Sequence, residues 1–317
     1  MFQTKIEIPV SKIKISLEDS IMTLGSCFAE HIGKKLKDVF FETDTNPFGV
    51  LYNPVSISNS LELLLQNRIF TEEDLFESGY LWQSFSHSSL FSDISADECL
   101  NKINSRMIFA RQFLKNSHIL LITFGTAWIF EEHKSGRVVS NCHKLPTNDF
   151  IRRRLSVEEI IHDYSLLISK LQILYPNLNF IFSVSPIRHW KDGAHENNIS
   201  KSTLLLAIDE LQKQFHAVHY FPAYEIQLDE LRDYRFYAPD MLHPSDVAVE
   251  YIWSMFSDTY FSKDTLELKK RLEQLAADFS HRPIHPDSPE YKSFLNKANT
   301  KKAELFSAFS FLSKRIK

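Results

Sequence analysis

Two short stretches of the chain hold residue types suited to acyl chemistry. The first is Leu24-Gly25-Ser26-Cys27-Phe28-Ala29-Glu30. An apolar run ends, Gly25 permits a tight turn, and a helix can begin at once behind it. A side chain at such a helix start sees unpaired backbone N–H groups and the positive end of the helix dipole. A thiol there is drawn toward its thiolate. A hydroxyl there can be aimed at a carbonyl carbon, with N–H groups at hand for the oxyanion. Cys27 and Ser26 are thus both candidate nucleophiles. The plain alternative is that Ser26 caps the helix and Cys27 fills a core gap. The second stretch is Pro239-Asp240-Met241-Leu242-His243-Pro244-Ser245. Asp240 and His243, three residues apart on a turn, can face the same way. The carboxylate then holds one imidazole nitrogen while the other serves as base. For one of 13 histidines, a surface loop is the plain alternative.

These residues need a scaffold, and the apolar pattern supplies one. Runs at 21–24, 118–124, 179–184 and 217–221 are short, rich in β-branched and aromatic residues, and almost continuously apolar. Strands buried on both faces read this way. They lead into Gly25, Gly125, Ser185 and Pro222. Between them, residues 156–174 carry Val157, Ile160, Ile161, Tyr164, Leu167, Ile168 and Leu171 at helical spacing, and 200–215 behave likewise. Ser156 and Ser200 are the expected N-caps, and Ser245 caps a helix from 246 to about 261. Alternating strands and helices predict an α/β fold with a central parallel sheet covered on both faces. Ligands in such sheets sit beyond the carboxyl ends of the strands, where the turns above lie. From 262 the chain turns charged and helical, with Ser288-Pro289-Glu290 opening a helix to about 312. The expected division is a domain over 1–261 and a helical C-terminal extension over 262–317.

Composition narrows the partners. Among 317 residues the net charge is −4, without the basic excess of a nucleic-acid binder. No apolar run approaches the ~20 residues of a membrane span, so neither nucleic acid nor membrane is expected. Three scattered cysteines make no disulfide framework. Residues 1–20 lack the apolar stretch of a signal peptide, so a cytoplasmic location is expected. Cys27, Cys142, His143 and His243 lack metal-ligand spacing, and no metal is expected. Arg188 and His189 follow a strand end, suited to an anionic substrate group; salt bridges to the acidic loop 192–196 are the alternative. Arg152-Arg153-Arg154 read as a solvated helix surface. Trp82, Phe85, His87 and Phe91 are either a pocket roof or core.

The Gly25–Ala29 sequence, GSCFA, is the signature of the GSCFA family, and other stretches resemble that family in order along the chain. They are Asn46-Pro47-Phe48-Gly49, Phe124-Gly125-Thr126-Ala127-Trp128, Asn141-Cys142-His143-Lys144, Ser185-Pro186-Ile187-Arg188-His189 and Arg232-Asp233-Tyr234-Arg235-Phe236-Tyr237, followed by Asp240 and His243. The resemblance covers roughly the first 260 residues. The family in turn is similar to the SGNH/GDSL hydrolases, which implies a three-layer α/β/α sandwich of SGNH/flavodoxin type. Laying Gly25-Ser26-Cys27 on the Gly-Asp-Ser block without a gap puts Cys27 at the nucleophile position; a one-residue shift puts Ser26 there. The Gly-x-Asn-Asp block reads Gly125-Thr126-Ala127-Trp128, without its Asn. Asn141, beside His143, is the candidate replacement for that oxyanion donor. Asp240 and His243 match the last block without departure.

The resulting expectation is an acyl-ester hydrolase or acyltransferase, with a small-molecule or carbohydrate ester as substrate. Cys27 or Ser26 attacks, His243 moves the proton, and Asp240 orients it. Gly25 or Cys27 N–H, Gly125 N–H and Asn141 hold the oxyanion. Hydrolysis needs no cofactor, while transfer needs an acyl donor. The rival expectation is a binding protein with weakened chemistry, motivated by the missing Asn. Neither the acyl group, the acceptor nor the oligomeric state is legible.

Overall fold

The computed structural model describes residues 4–315. In chain order the strands are β1 (Ser20–Gly25), β2 (Glu42–Thr45), β3 (Phe76–Ser78), β4 (Leu81–Gln83), β5 (Ile119–Phe124), β6 (Trp128–Glu132), β7 (Val138–Val139), β8 (Phe150–Arg154), β9 (Asn179–Val184) and β10 (Val218–Tyr220). The helices are α1 (Cys27–Asp38), α2 (Pro54–Leu65), α3 (Ala96–Lys115), α4 (Val157–Leu174), α5 (Gly193–Gln214), the short α6 (Ala223–Glu225), α7 (Asp246–Tyr260), α8 (Lys263–Ser280), α9 (Pro289–Ala308) and α10 (Leu312–Arg315).

Five strands form a parallel sheet in the order β10-β9-β5-β1-β2. Counting only these strands along the chain, the order is 2-1-3-4-5, the doubly wound arrangement with its switch point between the first and third. Here that crevice lies between the ends of β1 and β5. Alternate residues of each strand go to opposite layers. Met22, Leu24, Leu120, Ile122, Phe180 and Phe182 pack with α2, α3, α4 and α5. Ile21, Ile119, Leu121 and Ile181 pack with α1, α7 and α8. The result is the three-layer α/β/α sandwich expected. Two additions break the alternation: the antiparallel hairpin β3–β4 and the three-stranded antiparallel sheet β7-β6-β8.

Several local expectations need correction. Ser200 is not an N-cap, because α5 begins at Gly193. Ser200 lies buried inside the helix and accepts from Ala127 N–H at 2.8 Å, so it fixes the turn after β5. Arg152, Arg153 and Arg154 lie on strand β8, not on a helix. Arg152 pairs with Asp192, Arg153 with Glu131 and Glu159, and Arg154 with Glu196. The edge strand β2, Glu-Thr-Asp-Thr, carries no apolar signature. Its buried Asp44 is held by both carboxylate oxygens on Arg106 of α3.

After 262 the helices join the α1–α7 layer. Leu268, Leu272 and Leu275 of α8, Leu305 of α9 and Leu312 of α10 share a cluster with Trp253, Phe256 and Phe261. No helix among the described residues is long and apolar enough to cross a membrane.

Candidate functional site

β1 ends at Gly25, whose φ of +132° lies where side chains are strained. A Cβ on Gly25 would sit 2.1 Å from the Thr123 carbonyl oxygen of β5. Only glycine lets β1 turn this close to its neighbour. Gly25→Ala should therefore cost roughly 2–4 kcal/mol or prevent folding; urea denaturation of the variant measures it, and a change under about 0.5 kcal/mol would contradict the geometry.

Ser26 is the N-cap of α1. Its hydroxyl accepts from Phe28 N–H at 3.3 Å, and the residue is 2% exposed. Cys27 is the first helical residue, partly exposed, with no hydrogen-bond acceptor for its N–H among the described residues. Its Sγ lies 3.5 Å from the Tyr52 hydroxyl. Burial, followed by the contact with Cys27, pushes the Tyr52 phenol well above its ordinary range, so it remains protonated and can donate to sulfur. Burial pushes Cys142 up to about 11 and raises Cys99 as well.

The Tyr52 backbone spans the switch-point crevice. Leu51 N–H donates to the Gly25 carbonyl at 2.9 Å, and the Tyr52 carbonyl accepts from Gly125 N–H at 2.8 Å and Thr126 N–H at 3.0 Å. Gly125 N–H is thus already engaged, and so is Gly25 N–H, which donates to Asn46 Oδ1 at 2.9 Å. Both N–H groups are thus engaged in this arrangement and not free for an oxyanion. Cys27 N–H is the one expected backbone donor left open. Asn46 Nδ2 is buried there without a partner among the described residues.

Asn141 and His143 belong to a neighbouring cluster. Asn141 Oδ1 accepts from His143 N–H at 2.8 Å, and its Nδ2 donates to Ser89 Oγ at 3.4 Å. His143 is buried, with Nε2 2.9 Å from the Ser84 carbonyl. They bond to each other and to the 84–89 loop, and no hydrogen bond among the described residues joins them to the Cys27 turn. Of the aromatic stretch, His87 is buried, Trp82 and Phe91 pack partly buried against the core, and Phe85 lines a separate cavity. His87 stacks on Phe48 at 4.8 Å and packs against Phe70 and Phe91, and burial lowers it to about 3.

The Asp240–His243 pair forms as its spacing suggests. His243 Nδ1 lies 2.5 Å from Asp240 Oδ2, while Asp240 Oδ1 accepts from the N–H groups of Leu242 and His243, both at 2.9 Å. Those two backbone bonds, then the imidazole, hold the Asp240 carboxyl down at about 2. His243 Nε2 has no protein partner among the described residues. Between the turns Met241 is in the left-handed region at φ +61°.

His189 sits between the two halves. Its ring meets Tyr52 edge-on at 5.7 Å. Burial first, then the charge of Lys201, lowers it to about 4, and His243 is also within its electrostatic reach. Lys201 of α5 has no signal in the sequence, yet it is fully buried beneath the site. Its Nζ donates to the carbonyls of Gly125 and Ser185, each at 2.7 Å, and lies 5.6 Å from the Tyr224 ring. Burial, with Arg188 second, lowers it to about 7. Tyr52 also escaped the sequence reading. The Asn53-Pro54 start of α2 could have marked it as a residue at a helix mouth. Among the described residues no group of His, Cys, Asp and Glu side chains could hold a metal ion.

Two solved structures are similar in fold. A family 3 carbohydrate esterase from Clostridium thermocellum matches with a TM-score of 0.35 at 11% identity, over 80% of this chain and 98% of that one. A protein from Streptococcus pneumonia named for platelet activating factor matches with a TM-score of 0.36 at 11% identity, over 76% and 83%. No curated protein matches the chain. The GSCFA family model matches residues 20–256, which take in the Cys27 turn, Tyr52, His189 and the Asp240–His243 pair, and the chain belongs to the GSCFA family.

Proposed function

We propose that the protein cleaves or transfers an acyl group held as an ester, with Cys27 as nucleophile. One observation carries the reading. Asp240 holds His243 by Nδ1, leaving Nε2 open, at the same end of the sheet where the Cys27 thiol is accessible. In support, Cys27 contacts Tyr52, Tyr52 meets the His189 ring, and His189 is within electrostatic reach of His243.

In the proposed reaction His243 Nε2 takes the Cys27 proton and sulfur attacks the acyl carbon. The C–S bond forms and the carbonyl electrons move to oxygen, where Cys27 N–H donates. The oxyanion collapses, the C–O bond to the alcohol breaks, and His243 gives its proton to the departing oxygen. Water, or another hydroxyl, then attacks the thioester while His243 takes its proton. The C–S bond breaks, and the proton returns to sulfur. Asp240 keeps the ring oriented and supports its charged form throughout.

Burial in the cap argues against Ser26 as nucleophile. Ser26→Ala should lose about 1 kcal/mol of stability, the usual value of a cap, and still form an acyl adduct. Peptide mapping by mass spectrometry after exposure to p-nitrophenyl acetate tests both points. An acetyl group on Cys27, absent in Cys27→Ala and in His243→Ala, supports the proposal. An adduct lost in folded Ser26→Ala but kept in Cys27→Ala moves the nucleophile to Ser26. The engaged N–H groups of Gly25 and Gly125 favour a second reading, a binding protein with weak chemistry. Folded protein that forms no adduct and hydrolyses no ester would select it.

A further inference from the structure

Beside the dyad lies a cleft of about 580 Å³, walled by Arg188, Trp190, Tyr234 and Tyr237 and reaching Asp240. That volume suits a small ligand. Its charges are unevenly matched. Asp233 pairs with Arg235, Asp240 with His243, and Arg232 lies 3.6 Å from Asp229. The acids of the 192–196 loop are also taken, Asp192 by Arg152 and Glu196 by Arg154. Arg188 has no carboxylate partner among the described residues. One Nη donates to Asn198 Oδ1 at 2.7 Å, Tyr224 is a second neighbour, and Nε is buried without a partner. Among the described residues, Lys201 beneath it is likewise held by carbonyls and a ring, without a carboxylate.

A half-buried guanidinium without a counter-charge is costly in the empty cleft. It becomes favourable when an oxyanion in the cleft meets the guanidinium, since carboxylate and phosphate match its donors. Beside Leu228, Met241 and Leu242, the wall carries exposed aromatic faces. Trp190 is 52% exposed, Tyr234 is 74% exposed, and the Arg188 guanidinium lies 5.8 Å from the Trp190 ring. Flat apolar faces with polar rims suit a pyranose ring, which has apolar C–H faces and hydroxyl edges. We infer that this cleft binds an acidic sugar unit, a pyranose carrying a carboxylate or phosphate that Arg188 receives. In the acyl-ester reading on which this rests, that unit is the alcohol part of the ester.

Binding of sugars without any ester tests the inference separately from the chemistry. Methyl glucoside, methyl glucuronide and methyl glucoside 6-phosphate are titrated into the full chain, with Kd read by calorimetry or NMR. We expect at least one of the two anionic sugars to bind about tenfold or more tighter than the neutral one. The better anion identifies the acidic group. The preference should shrink to under about threefold in Arg188→Gln and stay intermediate in Arg188→Lys, which keeps charge but loses the fork. Equal affinities in the wild type overturn the proposal, as does absence of millimolar binding by all three. A preference that survives in folded Arg188→Gln overturns it as well. If the acidic sugar binds but no ester is cleaved, this site stands and the acyl reading falls. If esters are cleaved but sugar charge is ignored, the reverse holds.

Discussion

Asp240→Asn should lower kcat for ester cleavage by about 10³–10⁴-fold, the range seen when a triad carboxylate is lost. The reason lies in the tautomer. In the wild type both Asp240 oxygens accept, Oδ2 from the His243 ring and Oδ1 from two backbone N–H groups. An asparagine whose oxygen keeps the backbone bonds turns its NH₂ toward Nδ1. The ring must then accept there and carry its proton on Nε2, so it cannot take one from Cys27. The turn survives, because its backbone bonds survive. KM should therefore stay within a few-fold, and the loss should appear in kcat. Steady-state kinetics on p-nitrophenyl acetate, with ¹⁵N NMR of the imidazole, read both effects. A kcat loss under tenfold would remove Asp240 from the mechanism. The wild-type carboxyl at about 2 adds a pH expectation. Its folded value lies below the ordinary 3.8, so its contribution to stability is present above that value and fades as pH falls through about 2.

The second large effect belongs to Lys201. Unfolded, this lysine holds its proton to its ordinary 10.5; folded, it lets go at about 7. Between those values the unfolded chain binds more protons, so stability rises with pH across the window. Below 7 the native state carries the whole cost of a buried ammonium. Comparison with Lys201→Met isolates this group from all others. From pH 7 to 10 the wild type should gain on the variant by a few kcal/mol, following the spacing of the two values. The variant should also lose acyl chemistry, because the Gly125 and Ser185 carbonyls lose the donor that joins them. Urea denaturation at pH 7, 8, 9 and 10 measures the first effect. Parallel curves for the two proteins would show that Lys201 does not titrate in this window.

Features written in apolar runs and turn residues were legible. Strands β1, β5, β9 and β10, the helix after Ser156, the helix after Ser245 and the Asp240–His243 pair follow from local pattern and spacing. β2 was not legible, because an edge strand with one open side needs no apolar run. Ser200 misled because serine is a good cap, whereas here its hydroxyl serves a turn 73 residues away in sequence. The same limit hid Tyr52 and Lys201. Their roles arise from contacts between β1, β5, β9 and α5 that no local spacing encodes. Gly125 was found by its place at a strand end, yet its N–H proved engaged by Tyr52, which only tertiary structure reveals.

The borders of the central sheet bear on how the protein behaves in company. Its outer strands, β2 and β10, have four and three residues, against six each in β1, β5 and β9. A stray strand docking at either border finds few unpaired backbone groups. At β2 it also meets the exposed Glu42 and a segment anchored from behind by Arg106. Short, charged borders discourage sheet-to-sheet growth. The strands that would seed amyloid-like stacking, apolar and uncharged, are the three locked in the middle. Crowding should therefore leave this central sheet a closed set of five.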